Sequence, residues 1–184
     1  MTLPSDLKVG LFFGSDTGTT EAITQDLIAA WDFTTLEVIE ACDMTVADYG
    51  KFDFIIIGLP TWYDGELQSD FEDFFDQFQT IDFSNKIVAM YGLGDQYGYD
   101  EYFVDGLGIL GEVILKNGGQ IIGMWPTEGY EYTESKGEFA EGLFYGLAID
   151  EDNQMQLTEQ RLKTWIKQVY TELQAVIAKN TIQS

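Results

Sequence analysis

The stretch Val9-Gly-Leu-Phe-Phe-Gly-Ser-Asp-Thr-Gly-Thr-Thr20 joins a short apolar run to a polar loop that contains glycine. The run at 9–13 has the length and composition of a buried strand. The segment at 20–31, which follows the loop, carries apolar side chains at helical spacing, among them Ile23 and Leu27. The order strand, loop, helix is therefore the unit from which the rest of the chain can be interpreted.

The same alternation continues along the chain. Apolar runs of strand length lie at 36–39, 52–57, 87–91 and 121–125, and helical stripes lie at 71–78, 101–117 and 162–173. Strands that are apolar on both faces and separated by amphipathic helices indicate a parallel sheet covered on both sides. We therefore predict an α/β fold, a doubly wound five-stranded parallel sheet, in a single domain at 1–184. An inserted loop is expected at about 126–142, before a strand-like segment at 143–147.

The composition excludes several classes of function. The 184 residues include 32 acidic and 9 basic ones, and the net charge of −23 disfavours nucleic acid and anionic membranes as partners. The chain has no His and one Cys, Cys42, which excludes histidine catalysis, disulfides and protein-held iron–sulfur clusters. We expect no metal site. Neither a secretory signal nor an apolar stretch of roughly 20 residues is visible, so a soluble cytoplasmic protein is predicted.

Three loops lie where ligands bind in such a sheet, at the carboxyl ends of the strands. They are 14–20, 58–67 and 92–103. The first places glycines and hydroxyl side chains at a helix N-terminus, which suits an anion. Because this loop has no Lys, it is not a Walker loop, and a phosphate held by neutral donors is expected. A helix start that is merely capped by Ser and Thr side chains is the alternative.

The other two loops are rich in aromatic residues. Trp62 and Tyr63 directly follow a buried strand, and Tyr97, Tyr99 and Tyr102 lie in the third loop among glycines that permit tight turns. Two aromatic loops beside one phosphate site indicate a planar ring system with a phosphate tail. The alternative is that these aromatic side chains only pack over their own loops.

At this point the sequence resembles a known family, flavodoxin. The motifs are Ser-x-Thr-Gly-x-Thr at 15–20, Pro-Thr-Trp at 60–62, Gly-Glu-Leu at 65–67 and Gly-x-Gly-Asp-Gln-x-Gly-Tyr at 92–99. The segments 125–129 and 146–154 are similar to the long-chain branch. The segments 91–96 and 125–131 are most similar to the second flavodoxin of enteric-type bacteria. The resemblance covers residues 8–178. It implies the strand order 2-1-3-4-5, with the last strand interrupted by a loop.

The resemblance also implies a ligand, non-covalent FMN, and a set of binding residues. The phosphate would be held by Ser15, Asp16, Thr17, Gly18, Thr19 and Thr20. Trp62 would stack on one face of the isoalloxazine ring and Tyr99 on the other. The pyrimidine edge would meet Asp95 and the backbone of Gly92, Leu93 and Gly94, while Asp105 and Asp152 would lie near the ribityl chain. The remaining members of the candidate set are Pro60, Thr61, Tyr63, Asp64, Gly65, Tyr102 and Phe103.

Two positions depart from the family pattern. Tyr63 stands where many flavodoxins carry Asn, and Tyr102-Phe103-Val104 replaces a more polar stretch near the ribityl chain. Both departures are expected to alter the affinity or the potential without removing the site. The family resemblance further implies that the peptide at Tyr63–Asp64 turns over when the flavin is reduced.

The function that the resemblance implies is electron transfer rather than enzymatic catalysis. The chain would be a low-potential one-electron carrier shuttling between the semiquinone and the hydroquinone of FMN. Its partners would be a flavodoxin/ferredoxin–NADP reductase and low-potential acceptor enzymes with basic docking surfaces, towards which a strongly acidic protein is steered. A monomer is expected.

Two other functions remain open on the sequence. An NAD(P)H quinone reductase of the same fold needs a nicotinamide site, usually with basic groups. Arg161 is the single Arg of the chain, and the loops 14–20, 58–67 and 92–103 contain neither Lys nor Arg. The other candidate is a flavin-free interaction module on the same fold, which the aromatic pair Trp62 and Tyr99 disfavours.

Overall fold

The computed structural model of the chain describes residues 3–183. Met1, Thr2 and Ser184, which the predicted domain 1–184 includes, lie outside the described residues. The strands are β1 (Val9–Phe13), β2 (Leu36–Glu40), β3 (Phe54–Trp62), β4 (Glu66–Leu67), β5 (Ile87–Leu93), β6 (Gln120–Ile122), β7 (Trp125–Pro126), β8 (Glu138–Ala140), β9 (Leu143–Phe144) and β10 (Leu147–Ile149). The helices are α1 (Thr19–Ala30), α2 (Val46–Gly50), α3 (Ser69–Phe78), α4 (Asp105–Lys116) and α5 (Met155–Gln183). No helix in this described part is both long and apolar enough to cross a membrane.

The central sheet has the predicted order. β2, β1, β3 and β5 are neighbours in that sequence, and all of these pairs are parallel. β6 pairs with the first half of β5, where Ile87 lies opposite Gln120, and β10 pairs with the second half, where Leu93 lies opposite Ile149. The fifth strand of the predicted sheet is therefore present in two pieces, β6 and β10. This confirms the order 2-1-3-4-5 with an interrupted last strand.

The sheet separates two apolar layers, as expected for a doubly wound fold. Alternate residues of β3 point to opposite faces, so that Ile55 and Ile57 join one core cluster while Phe54 and Ile56 join the other. The first cluster is completed by α3 and α4, and the second by α1 and α5. Trp165 of α5 is fully buried in the second layer.

β3 runs further than the sequence pattern indicates. The sequence predicts a strand at 52–57 that Gly58-Leu-Pro60 ends, but β3 continues to Trp62, and Pro60 still lies opposite Leu93 of β5. Gly58 is required inside the strand because a Cβ there would lie 2.0 Å from the ring of Tyr91. The extension places Trp62 at the end of a paired strand rather than in a free loop.

The insertion between β6 and β10 contains a small sheet of its own. β9 pairs antiparallel with β7 and with β8, and Trp125 lies opposite Phe144. The predicted strands at 121–125 and 143–147 are therefore each divided between the two sheets. The helix expected at 101–117 begins only at Asp105, because Val104 has a left-handed backbone conformation with φ 50°.

Candidate functional site

The loop between β1 and α1 leaves the N-terminus of the helix open. Gly18 precedes the helix with φ 91°, and no side chain in the described part of the chain caps the first turn. Ser15 Oγ instead accepts a hydrogen bond from the Gly18 N–H within the loop, at 3.0 Å. Apart from its two chain neighbours, no heavy atom of the described residues lies within 4 Å of the position that a Cβ of Gly18 would occupy. The first backbone N–H groups of a helix lack intrahelical partners and attract anions, so this end of α1 is a ready anion site.

A cleft of about 180 Å³ begins at this loop and runs along the carboxyl ends of β3 and β5. It brings together most of the predicted binding residues. The lining consists of Asp16, Thr17, Thr19, Thr20, Pro60, Thr61, Trp62, Leu93, Gly94, Asp95, Tyr99, Glu151 and Asp152. Glu151 was not predicted. None of these lining residues is Lys or Arg, so a ligand in the cleft meets neutral and acidic side chains.

Trp62 is tied to the phosphate-loop side of the cleft through Asp16. The indole N–H of Trp62 donates to Asp16 Oδ2 at 2.7 Å. Asp16 Oδ1 accepts from Gln68 Nε2 at 3.0 Å and from Ser69 Oγ at 2.5 Å. Burial raises the pKa of Asp16, but the hydrogen bonds from Ser69, Gln68 and Trp62 outweigh it and leave the pKa below its usual value. Asp16 is therefore ionised at neutral pH.

The turn that carries Asp95 is fixed by its own carboxylate. Asp95 Oδ1 accepts from the backbone N–H groups of Tyr97, at 3.0 Å, and Gly98, at 2.7 Å, and from Asn153 Nδ2 at 2.8 Å. Burial raises the pKa of Asp95, whereas the bonds from Gly98, Asn153 and Tyr97 lower it and prevail. The exposed Tyr99 follows directly on this turn, and its N–H donates to the Asp95 carbonyl at 3.0 Å.

Behind this turn lies a buried carboxylate that the sequence interpretation missed. Asp150 is 1% exposed and accepts from Gln96 through its backbone N–H, at 3.1 Å, and its side-chain amide, at 2.6 Å. It also accepts from the backbone and side-chain nitrogens of Asn153. The Gln96 Oε1 in turn accepts from the N–H of Glu131 in the insertion, at 2.6 Å. Gln96 and Asp150 both lie inside motifs that carried the resemblance, which was the available signal.

Asp152 lies on the exposed rim of the cleft beside two other carboxylates. Burial raises the pKa of Asp152, and the charges of Asp95 and Asp150 raise it further. The acidic groups at this rim therefore act on one another, and an additional negative charge in the cleft would be opposed by all of them.

The turn at 62–65 is strained. The Gly65 N–H donates to the Trp62 carbonyl at 3.1 Å, and Tyr63 has φ 40°, a left-handed value that is unfavourable for a bulky residue. The ring of Tyr63 is 59% exposed and makes an edge contact with the ring of Tyr99, with centroids 6.4 Å apart. Asp64 is exposed at the tip of the turn.

Asp105 is placed behind the 62–65 turn and outside the lining of the cleft. It is 1% exposed, and its Oδ1 accepts from the backbone N–H of Lys136 in the insertion at 2.7 Å. Its Oδ2 has no hydrogen-bond partner among residues 3–183, lies 3.8 Å from Lys136 Nζ, and would lie 2.7 Å from a Cβ on Gly65. Burial raises the pKa of Asp105.

Phe103 and Tyr102 also lie outside the lining of the cleft. Phe103 is buried and stacks on Tyr132 of the insertion at 5.5 Å between ring centroids. Tyr102 packs against the same turn as Asp105, since a Cβ on Gly65 would lie 3.3 Å from its ring. The remaining predicted residues that are not in the lining are Ser15, Gly18 and Gly92. The Ser15 hydroxyl accepts from the Gly18 N–H, and Gly92 leaves room for Leu107, whose side chain would lie 2.7 Å from a Cβ there.

A second, wider cleft of about 690 Å³ adjoins the first on the other side of Trp62. It shares Asp16, Thr17 and Trp62 with the first cleft and is otherwise lined by Tyr63, Glu66, Leu67, Ser69, Glu72 and Asp73. Because it is open and acidic, this second cleft suits a basic surface better than a phosphorylated ligand.

Comparison with known proteins identifies the family. A family model described as flavodoxin matches residues 11–165. The flavodoxin of Picosynechococcus sp. is 46% identical over 163 residues, 88% of this chain and 95% of its own, and flavodoxin 1 of Escherichia coli is 44% identical over 164 residues, 89% and 93%. The Fusobacterium nucleatum flavodoxin bound to flavin mononucleotide superposes with a TM-score of 0.85 at 30% identity, covering 90% of this chain and 98% of that one. The likeness to the second enteric type stays a prediction. The chain belongs to the flavodoxin family.

Proposed function

We propose that the chain binds FMN non-covalently in the cleft between Trp62 and Tyr99 and serves as a low-potential one-electron carrier. The observation that carries the proposal is the shape of this cleft, which joins an open helix N-terminus to two aromatic side chains. FMN has the matching parts, a phosphate at one end and a planar ring at the other. A related structure, that of Fusobacterium nucleatum flavodoxin, is described as bound to flavin mononucleotide.

Each end of the ligand has its own group of residues in the proposed complex. The backbone N–H groups at the start of α1 and the hydroxyls of Thr17, Thr19 and Thr20 hold the phosphate. Trp62 and Tyr99 enclose the ring, and the turn at Asp95 meets its pyrimidine edge. The flavin, when bound, accepts one or two electrons, and the protein around it decides which step is used.

The acidic surroundings support a low potential. Asp95, Glu151 and Asp152 line the cleft, and no cation among the lining residues offsets them. One carboxylate at about 10 Å from an added negative charge costs roughly 1.7 kcal/mol at an effective dielectric of about 20. That energy corresponds to roughly 70 mV for a one-electron couple, before screening by salt. The proposed working couple is therefore the second one-electron step, from semiquinone to hydroquinone.

The charge distribution supports basic partners that dock at the cleft. Three lysines, Lys8, Lys51 and Lys86, precede β1, β3 and β5. They therefore lie at the amino ends of these parallel strands, whereas the cleft lies at the carboxyl ends. Acidic residues line both clefts around Trp62. A partner with a basic surface is thus steered towards the cofactor end. A flavodoxin/ferredoxin–NADP reductase and low-potential acceptor enzymes are the proposed partners, with the chain acting as a monomeric single domain in the cytoplasm.

The experiment is an anaerobic, stepwise reduction of the purified protein followed by visible spectroscopy. We expect flavin absorbance that first gives way to the long-wavelength band of a one-electron-reduced flavin and then bleaches. A flavin that bleaches in one two-electron step contradicts the carrier proposal. Rapid oxidation of NADPH without a reductase would favour the quinone reductase, and a protein that binds no added FMN would favour the interaction module.

A further inference from the structure

Asp16 places a negative charge in the loop that is proposed to receive the phosphate. It lies between Ser15 and Thr17 in the segment that leads to the open end of α1. A carboxylate aimed at this point would repel a phosphate, whereas neutral donors would attract it. The structure shows where the carboxylate is directed instead. Both of its oxygens accept hydrogen bonds from groups outside the loop, namely the Trp62 indole, the Gln68 amide and the Ser69 hydroxyl.

The three donors to Asp16 come from two elements beside the cleft, β3 and α3. Trp62 ends β3, Gln68 precedes α3 and Ser69 begins it. Gln68 is fully buried and is itself fixed, because its Oε1 accepts from the Phe71 N–H at 3.2 Å. Asp16 therefore connects a rigid amide to the half-buried indole of Trp62, whose ring also lies 6.2 Å from the ring of Tyr63 between centroids.

We propose that Asp16 is a positioning residue, which holds the Trp62 indole against the cleft through the N–H···Oδ2 bond and is not itself a phosphate ligand. The inference rests on the proposed function, since Trp62 matters in this way only if a flavin ring occupies the cleft. The pKa of Asp16, which its three hydrogen bonds keep below the usual value, agrees with an ionised acceptor at neutral pH.

A double-mutant cycle with two ligands tests the proposal. The dissociation constants of FMN and of riboflavin, which lacks the phosphate, are measured by flavin fluorescence for the wild type, Asp16→Asn, Trp62→Phe and the double variant. Phe has no N–H, so the proposed bond is absent in the Trp62→Phe background. An amide at position 16 can accept from Trp62 only by turning its own N–H groups towards the donor of Gln68.

We expect Asp16→Asn to weaken riboflavin binding about tenfold in the Trp62 background and to leave it unchanged in the Phe background. FMN binding should weaken less than riboflavin binding, because the substitution also removes a negative charge beside the phosphate loop. The matched control is Asp73→Asn, which makes the same change of charge in the neighbouring cleft, whereas the indole N–H of Trp62 donates to Asp16. It should leave riboflavin binding unchanged.

Equal weakening by Asp16→Asn in the Trp and Phe backgrounds, or no weakening of riboflavin binding at all, overturns the inference while leaving the proposed function intact. A wild-type chain that binds neither flavin overturns the proposed function, and the inference with it. Circular dichroism checks that each variant is folded. If Asp16→Asn does not fold, the same dissociation constants are measured for Asp16→Ala in its place.

Discussion

Replacing Asp150 by Asn tests how the walls of the cleft are built. Within the described residues, every hydrogen-bond partner of the buried carboxylate is a donor: the two nitrogens of Gln96, those of Asn153 and the N–H of Asp152. Asp150→Asn keeps the shape but replaces one acceptor oxygen by an NH₂ group. Whichever way the amide turns, a donor then faces a donor, and the charge that strengthened the other bonds is lost.

The expected loss of stability follows from the number of bonds disturbed. A hydrogen bond to a charged group contributes roughly 1.5–3 kcal/mol, and the substitution removes the acceptor of at least two such bonds. Local relaxation recovers part of this energy, so we expect the free energy of unfolding to fall by about 2–4 kcal/mol. Urea denaturation of the flavin-free wild type and of Asp150→Asn at neutral pH measures this loss. An equal m-value for the two proteins shows that the change in midpoint reflects stability.

The control for this prediction is Asp152→Asn. Asp152 lies two residues away on the exposed rim, and burial and the charges of Asp95 and Asp150 raise its pKa. Neutralising it relieves repulsion, so the free energy of unfolding should stay the same or rise slightly. If Asp150→Asn loses less than about 1 kcal/mol, or behaves as Asp152→Asn does, the network around Asp150 does not hold the cleft together.

Three further predictions concern the turn, the buried carboxyl behind it and the partners. Burial raises the pKa of Asp105, so the folded state binds its proton more tightly than the unfolded state does, and the stability that this provides is lost as pH rises through the raised pKa. In thermal melts, the stability of Asp105→Asn relative to wild type should therefore increase as pH rises from the unfolded-state pKa of Asp105 to its raised folded-state pKa, and then level off. A difference that shrinks as pH rises contradicts this prediction. Gly65→Ala should lower the free energy of unfolding by about 1–3 kcal/mol in urea titrations. The reason is that residue 65 has φ 87° and that its Cβ would lie 2.7 Å from Asp105 Oδ2. An unchanged urea midpoint refutes this prediction. Reduction by a basic reductase in stopped flow should slow by about tenfold between roughly 50 and 300 mM NaCl, since the steering charges are screened, and a rate independent of salt speaks against docking at the acidic clefts.

Much of the cleft could be predicted because its residues follow directly on predictable strands. Thr17 and Thr19 lie just after β1, and Trp62 ends β3, so the carboxyl edge of a parallel sheet brings them together once the strand order is known. Asp105 and Phe103 could not be placed in the same way. Their surroundings depend on the insertion, whose small sheet and whose Lys136 and Tyr132 contacts have no periodic pattern in the sequence.

The amino-acid sequence by itself determined the layered α/β fold, the loops that form the site and the acidic character of the protein. These follow from local periodicity, from motifs within single loops and from composition, none of which needs a distant partner. Only the tertiary structure decided that Asp16 binds the indole of Trp62, 46 residues away, and that Asp150 holds Gln96, 54 residues away. The direction of a polar side chain depends on which donors the folded chain brings within about 3 Å, and that is set by strand pairing and packing rather than by its neighbours in sequence.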